Sequence, residues 1–254
     1  DRLADPVYNL AQIADREVPE DWVLDPNLHL TTSMRSFRAE NLSNFVEHVL
    51  NNNPAEARES FEAMGNRYPI VLTRDLEAAR DWLKQKARGS ERTGFLASSG
   101  GYRLRPCGVN PRSKIDPPNW FLNASTDVRS SHYLEEVATE FDVQGLELDW
   151  VGLCWDADLR WDADAWAFKR FRGTVWQTSN KPDAQRYLMN AYRVLMTRAR
   201  QGMVIFVPPG EASDPTRRPE WYDATAQYLE RCGVPLLDKE MQAAWPNGTR
   251  VGSG

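Results

Sequence analysis

Cysteine and histidine are scarce in this chain: three of each occur in 254 residues. Cys107, Cys154 and Cys232 lie far apart, as do His29, His48 and His132, and neither set has metal-ligand spacing. An odd number of dispersed cysteines argues against a disulfide framework and for free thiols in a reducing compartment, so a cytoplasmic location is expected. No residue is assigned to a metal. No stretch approaches the ~20 apolar residues of a membrane span, and no secretory pattern opens the chain, so no membrane partner is expected. The dipeptide Gly-Lys does not occur, and with it any G-x-x-x-x-G-K-[ST] loop for cradling phosphates. An Asp-Glu pair of the kind that holds Mg²⁺ at a strand end is missing too. These two absences exclude a self-sufficient ATP·Mg²⁺ site. The net charge of −5 argues against wholesale polyanion binding. It leaves room for a local basic groove, because the field that matters is the field at the site.

What the chain does contain is an alternation of two periodicities. Residues 28–34 read as a short strand, and Leu42, Phe45, Val46, Val49 and Leu50 then recur at helical spacing. Asn51–Asn53 break that helix, Pro54 starts another, and Gly65 can close it. Residues 68–73 and 93–99 read as strands around a helix carrying Leu76, Ala79, Trp82 and Leu83 on one side. Residues 103–130 are rich in Pro, Asn and Arg and read as a long loop. Two further strands are expected at 135–141 and 148–155, separated by a turn at Gly145. Residues 156–181 look like an inserted β-hairpin. A helix over about 183–200 follows, closed by Gly202 in a left-handed cap, then a buried strand at 203–208 and a last helix near 219–231. Strands alternating with helices imply an α/β fold, a mainly parallel sheet with helices on both faces.

The helix at 183–200 raises a question of chemistry. At about 100° per residue, Leu188, Ala191, Tyr192, Leu195, Met196 and Ala199 share one face. Arg193 and Arg200 lie together away from it, whereas Arg198 sits at its edge, where a guanidinium can reach into a cleft. Arg193 and Arg200 are assigned to the surface, with Arg200 in reserve for Arg198. Tyr192 and Trp150 are assigned to the core.

The segments ATEFDVQGLELDWVGL (138–153) and YLMNAYRVLMTRARQGMVIF (187–206) run in the order strand, Gln-Gly-x-Glu turn, strand, arginine-bearing helix, strand. They resemble motifs V and VI of superfamily-1 helicases, which belong to the second of two RecA-like motor domains. HLTTSMRSFR (29–38), VLTRDLEAAR (71–80), GFLASSGGYRLRP (94–106), WFLN (120–123) and DVRSS (127–131) extend the likeness. Together they are similar to the schlafen group 3-like DNA/RNA helicase domain family of P-loop NTPases over most of residues 28–232.

The resemblance implies a RecA-like second motor domain over residues 28–235, with insertions at about 103–130 and 156–181. Residues 1–27 would be a lead-in from a preceding motor domain and residues 236–254 a tail. It implies an ATP-dependent DNA/RNA helicase or translocase whose P-loop, ATP and Mg²⁺ sit mainly on an N-terminal RecA-like domain, in cis or in trans. The chain alone would be inactive. Arg198 would be the arginine finger, a device worth about 10³–10⁵ in rate, and Arg35 a second phosphate-directed arginine. Gly145, Glu147 and Gln144 would contact the nucleotide, Glu147 through the ribose hydroxyls. Thr73, Arg74, Thr139, Arg103 and Arg105 would hold DNA or RNA, expected to be single-stranded.

Two rivals compete with this reading. The repeat WDADLRWDAD (155–164) invites a metal-dependent nuclease, with Asp156 and Asp158 on one side of an exposed hairpin edge. It lacks the glycine and distal glutamate of a calcium loop. The alternative without catalysis is a helicase-derived module that only binds nucleic acid or protein.

Overall fold

A computed structural model describes residues 34–237 and their side chains from residue 40 onward. Four short segments are buried on both faces, and their successive side chains alternate between two core clusters, as in strands covered on both sides. Ile70 and Leu72, Leu96, Val151 and Leu153, and Met203 and Ile205 join one core cluster. Their neighbours Val71, Phe95, Ala97, Trp150, Cys154, Val204 and Phe206 join the other. These segments are β1 (Ile70–Thr73), β2 (Thr93–Ala97), β4 (Leu148–Cys154) and β8 (Ala199–Phe206). With the two-residue β3 (Val137–Ala138) they form one all-parallel sheet in the order β1-β8-β4-β2-β3. The outer edge of β1 is paired as well: Leu72 bonds Pro235 and Leu237 through the backbone, at 2.8 and 2.6 Å.

Helices cover both faces. α3 (Leu76–Lys86) starts where the Asp75 carboxylate accepts from the Glu77 and Ala78 amides, and it buries Leu76, Ala79, Trp82 and Leu83 on one face. The other face receives α1 (Met34–Leu50) through Phe45 and Val49, α2 (Pro54–Met64), α5 (Pro182–Met196) and α6 (Pro219–Arg231). The connection between β2 and β3 is long, but the loop expected at 103–130 is interrupted by the short α4 (Pro117–Leu122) and flanked by two 3₁₀ turns, Tyr102–Cys107 and Ser131–Tyr133. The insertion after β4 is a separate antiparallel sheet of three strands, β5 (Leu159–Asp162), β6 (Ala165–Arg172) and β7 (Val175–Thr178). Ala163 and Asp164, both at positive φ, make the tight turn between β5 and β6.

Four sequence expectations need correction. α5 stops at Met196, not at residue 200, so Arg198 lies in the joint between helix and strand, and Ala199 and Arg200 belong to β8. The cause is local: the Thr197 hydroxyl donates back to the helix carbonyls of Arg193 and Val194, and Ala199 pairs with Leu148. Gly202 is therefore no helix cap. It sits inside β8, where a Cβ would come within 2.5 Å of the Pro69 carbonyl oxygen and 2.8 Å of the Trp150 ring. The strand expected at 135–141 shrinks to Val137–Ala138, because Thr139 turns back on Asp142 through both its amide and its hydroxyl. Asp156 and Asp158 do not form an exposed hairpin edge: both are 1 % exposed. Of the strand expected at 28–34, residues 28–33 lie outside the described residues, as do the segments 1–27 and 238–254, and Met34 begins α1.

Candidate functional site

All strands of the main sheet point the same way, so it has an amino-terminal and a carboxyl-terminal rim. The seven residues of β4 separate them by about 20 Å. The residues singled out in the sequence divide between the two rims.

At the amino-terminal rim, Arg198 meets the turn before β4. Its Nη1 donates to the Leu146 carbonyl at 3.4 Å and its Nε to Val194 at 3.2 Å. The Leu148 amide donates to the Arg198 carbonyl at 3.0 Å, which locks the joint to the start of β4. Gly145 stands at φ +76°, a conformation that favours glycine, and nothing lies within 4 Å of where a Cβ would be. Gln144, Gly145 and Glu147 are exposed around it, while Arg198 is half-buried. Arg198, Gln144, Gly145 and Glu147 are thus one local constellation. The other two arginines of the segment are engaged elsewhere, Arg193 with Glu47 at 3.0 Å and Arg200 with Asp149 at 3.7 Å. Arg35 falls in the first turn of α1, and its side chain lies outside the described residues.

The carboxyl-terminal rim holds the other group. Thr73 is buried, exchanging hydrogen bonds with the backbone of Asp75. Arg74 spends its guanidinium inside the protein, on the Val207 and Pro208 carbonyls and on Asp223 at 2.7 Å. Thr139 is buried and committed to Asp142. Arg103 pairs with Asp214 at 2.6 Å. Arg105 alone of these five is exposed with no hydrogen bond or ion pair among the described residues, and it lines a hollow with Arg103 and Arg112.

A buried polar cluster at the same rim gathers Asp156 and Asp158, which the sequence offered only for a rival metal site, with partners it did not indicate. Asp158 accepts from the Ser98 hydroxyl at 2.6 Å, the Tyr192 hydroxyl at 2.7 Å and the Leu159 amide at 3.0 Å. Asp156 accepts from the Tyr222 hydroxyl at 2.9 Å and the Arg103 amide at 2.8 Å. Burial, reinforced by the Asp156 charge, pushes Asp158 up to about 7. Burial raises Asp156 as well. Beside them Glu140, 5 % exposed, accepts from the Ser99 amide and hydroxyl and from Tyr187. The only sequence signal for this cluster was the acid repeat itself; its tyrosine partners come from distant helices. Among the described residues no group of histidine, cysteine, aspartate and glutamate is placed to hold a metal ion. No described helix is long and apolar enough to cross a membrane.

No curated protein and no solved structure matches the chain significantly. A family model does: that of the schlafen group 3 DNA/RNA helicase domain matches residues 7–209. This match takes in β1 to β4, the hairpin insertion, α5 and β8, and so both rims of the sheet. The chain belongs to the schlafen group 3 DNA/RNA helicase domain family.

Proposed function

We propose that the chain is the second RecA-like domain of an ATP-dependent DNA/RNA helicase or translocase, active only when joined to a domain that supplies the P-loop. The observation that carries this reading is the docking of Arg198 against the Leu146 carbonyl, between Gly145 and Glu147. It gathers a cation, an open glycine backbone and an exposed carboxylate at one rim. That combination suits a nucleotide presented from outside: the guanidinium toward the phosphates, Glu147 toward the ribose hydroxyls and Gly145 giving close backbone approach. Nε and Nη1 are held by carbonyls, which fixes the fork and leaves Nη2 to point at a ligand. Hydrolysis moves charge toward the leaving phosphate, and a positioned arginine stabilises that charge without reorganising. With no Gly-Lys in the chain and no group of described residues placed to hold a metal ion, this reading assigns Mg²⁺ and the phosphate cradle to the partner domain.

The test is nucleic-acid-stimulated ATP turnover by the chain alone and by the chain combined with its P-loop domain. The chain alone is expected to be silent and the assembly active. Arg198→Ala should lower turnover of the assembly by at least about 10³ while leaving ATP affinity nearly unchanged. Normal turnover in that variant removes Arg198 from the role. An assembly that stays silent while the chain still binds single strands would make it a binding module instead.

A further inference from the structure

The chain leaves β2 toward β3 and leaves β4 toward β8, in opposite directions along the sheet. Neighbouring strands whose connections diverge open a crevice beyond their carboxyl ends, and open α/β sheets receive ligands there. A cavity of about 280 Å³ lies at that position. Ser98, Ser99 and Gly100 after β2 form its floor with Asp158 and Glu140, and β6 and the first turns of α5 close its sides. Tyr102, Phe171 and Tyr187 line it with aromatic rings.

Two further observations say what it holds. Tyr187 is 48 % exposed and packs on Phe141, 55 % exposed, with ring centroids 6.2 Å apart. Tyr187 lines the cavity and this pair leaves aromatic surface in water beside it, whereas the other ring of α5, Tyr192, is fully buried in the core. Next to the cavity, and sharing Tyr102 and Phe171 with it, is a second hollow of about 180 Å³ lined by Arg103, Arg105 and Arg112. Arg105 and Arg112 are exposed and form no ion pair among the described residues, and the Arg112 guanidinium lies 4.2 Å over the Tyr102 ring. One hollow combines aromatic rings with carboxyls, hydroxyls and the cations Lys169 and Arg170, and so offers a heterocycle stacking faces together with donors and acceptors. The adjoining hollow is cationic.

We propose that the joined hollows take one nucleotide of a single strand, its base against Tyr187 and Phe171 and its backbone phosphate among Arg103, Arg105 and Arg112. The inference rests on the nucleic-acid half of the proposed function and adds where the strand lies and how an unpaired base is held. A cavity below the ~300 Å³ of ordinary drug-sized pockets has room for one ring system. A base inside a duplex is stacked on both faces and cannot enter. Stacking on aromatic rings tolerates any base, so the site reads strandedness rather than sequence.

The experiment titrates the full chain into a single-stranded DNA of about 12 nucleotides carrying one 2-aminopurine, with the matching duplex as competitor. The expected result is a saturable change in 2-aminopurine emission that the duplex reverses poorly. Tyr187→Ala should weaken binding by about 5- to 150-fold, the loss of one base–aromatic stack. Tyr187→Phe keeps the ring and should bind like the parent chain; the position is half-exposed, so circular dichroism should show both variants folded. Absence of single-strand binding, equal competition by duplex, or undiminished binding by Tyr187→Ala overturns the proposal. The motor reading fails separately. An ATP-silent assembly whose strand binding still depends on Tyr187 removes the motor and keeps the pocket; an active assembly with Tyr187→Ala binding unchanged does the reverse.

Discussion

Asp158 is a fully buried carboxyl held by three donors and no cation. Its proton affinity is raised in the fold, to about 7, above the roughly 3.9 of an unfolded aspartate. The folded chain therefore binds more protons than the unfolded chain between those values, and stability falls as pH rises from about 4 to about 7. The contribution is fully present below pH 4 and gone above 7. Other carboxyls work in the opposite direction, Asp127 being held down to about 2 by the Arg129 guanidinium beside it. The difference between parent and variant isolates the buried group. Asp158→Asn keeps a neutral acceptor in place, so thermal melts should show the variant gaining at least about 1 kcal/mol on the parent between pH 4 and 7. Parallel melting profiles would mean that Asp158 titrates normally. None of this was legible in WDADLRWDAD. The i, i+2 spacing put Asp156 and Asp158 on one side of a strand, which suits an exposed hairpin edge. The hydroxyls that overturn it, from Tyr192 and Tyr222, lie 34 and 66 residues further on.

Elements were legible wherever one periodicity ran unopposed. The α3 stripe of Leu76, Ala79, Trp82 and Leu83, the Pro54 helix start and the parallel sheet all follow from spacing and punctuation. The failures cluster where two elements compete for the same residues. At 197–202 the helical stripe continues in sequence through Ala199, yet pairing with β4 draws that residue into β8. Gly202 then changes meaning, from a residue free to adopt positive φ to one chosen for lack of a side chain. The two roles predict different costs. A cap glycine replaced by alanine suffers backbone strain at an exposed helix end. At Gly202 the added methyl must displace the Pro69 carbonyl or the Trp150 ring in the middle of the sheet. Gly202→Ala should therefore destabilise the fold by about 1–3 kcal/mol, the usual penalty for overpacking a core. Urea denaturation would register this as a lower midpoint with an unchanged slope. The same joint fixes Arg198: the Thr197 hydroxyl closes the helix one residue before it and the Leu148 amide holds its carbonyl. A continuous helix would have swung Arg198 away from Leu146, so the misread boundary and the placement of the candidate finger are one fact.

On the scale of the whole molecule, the two rims place the two proposed sites at opposite ends of the strands, along the length of the sheet. Arg198, Gly145 and Glu147 face one way, and the joined hollows with Arg105 and Arg112 face the other. The sequence named members of both groups but did not show that the strand direction sorts them, since that requires every strand to be parallel. Nor did it show that Arg74, Thr73 and Thr139 are committed internally, so that the proposed strand contact rests on Arg105 and its neighbours. Separation predicts that the two proposed sites can be removed independently. Arg198→Ala should leave single-strand affinity of the chain unchanged, because no charge at the carboxyl rim is altered. The double variant Arg105→Ala/Arg112→Ala should weaken strand binding at low salt. It should also flatten the dependence of log K on log salt by about 1.4, two phosphate contacts at roughly 0.7 each for a single strand. The chain carries a net charge of −5, so a diffuse whole-molecule attraction cannot substitute for these two cations. If the slope survives the double variant, the strand contacts lie elsewhere on the sheet. If Arg198→Ala also flattens it, the two rims serve one ligand, and the assignment of a nucleotide to one and a strand to the other fails.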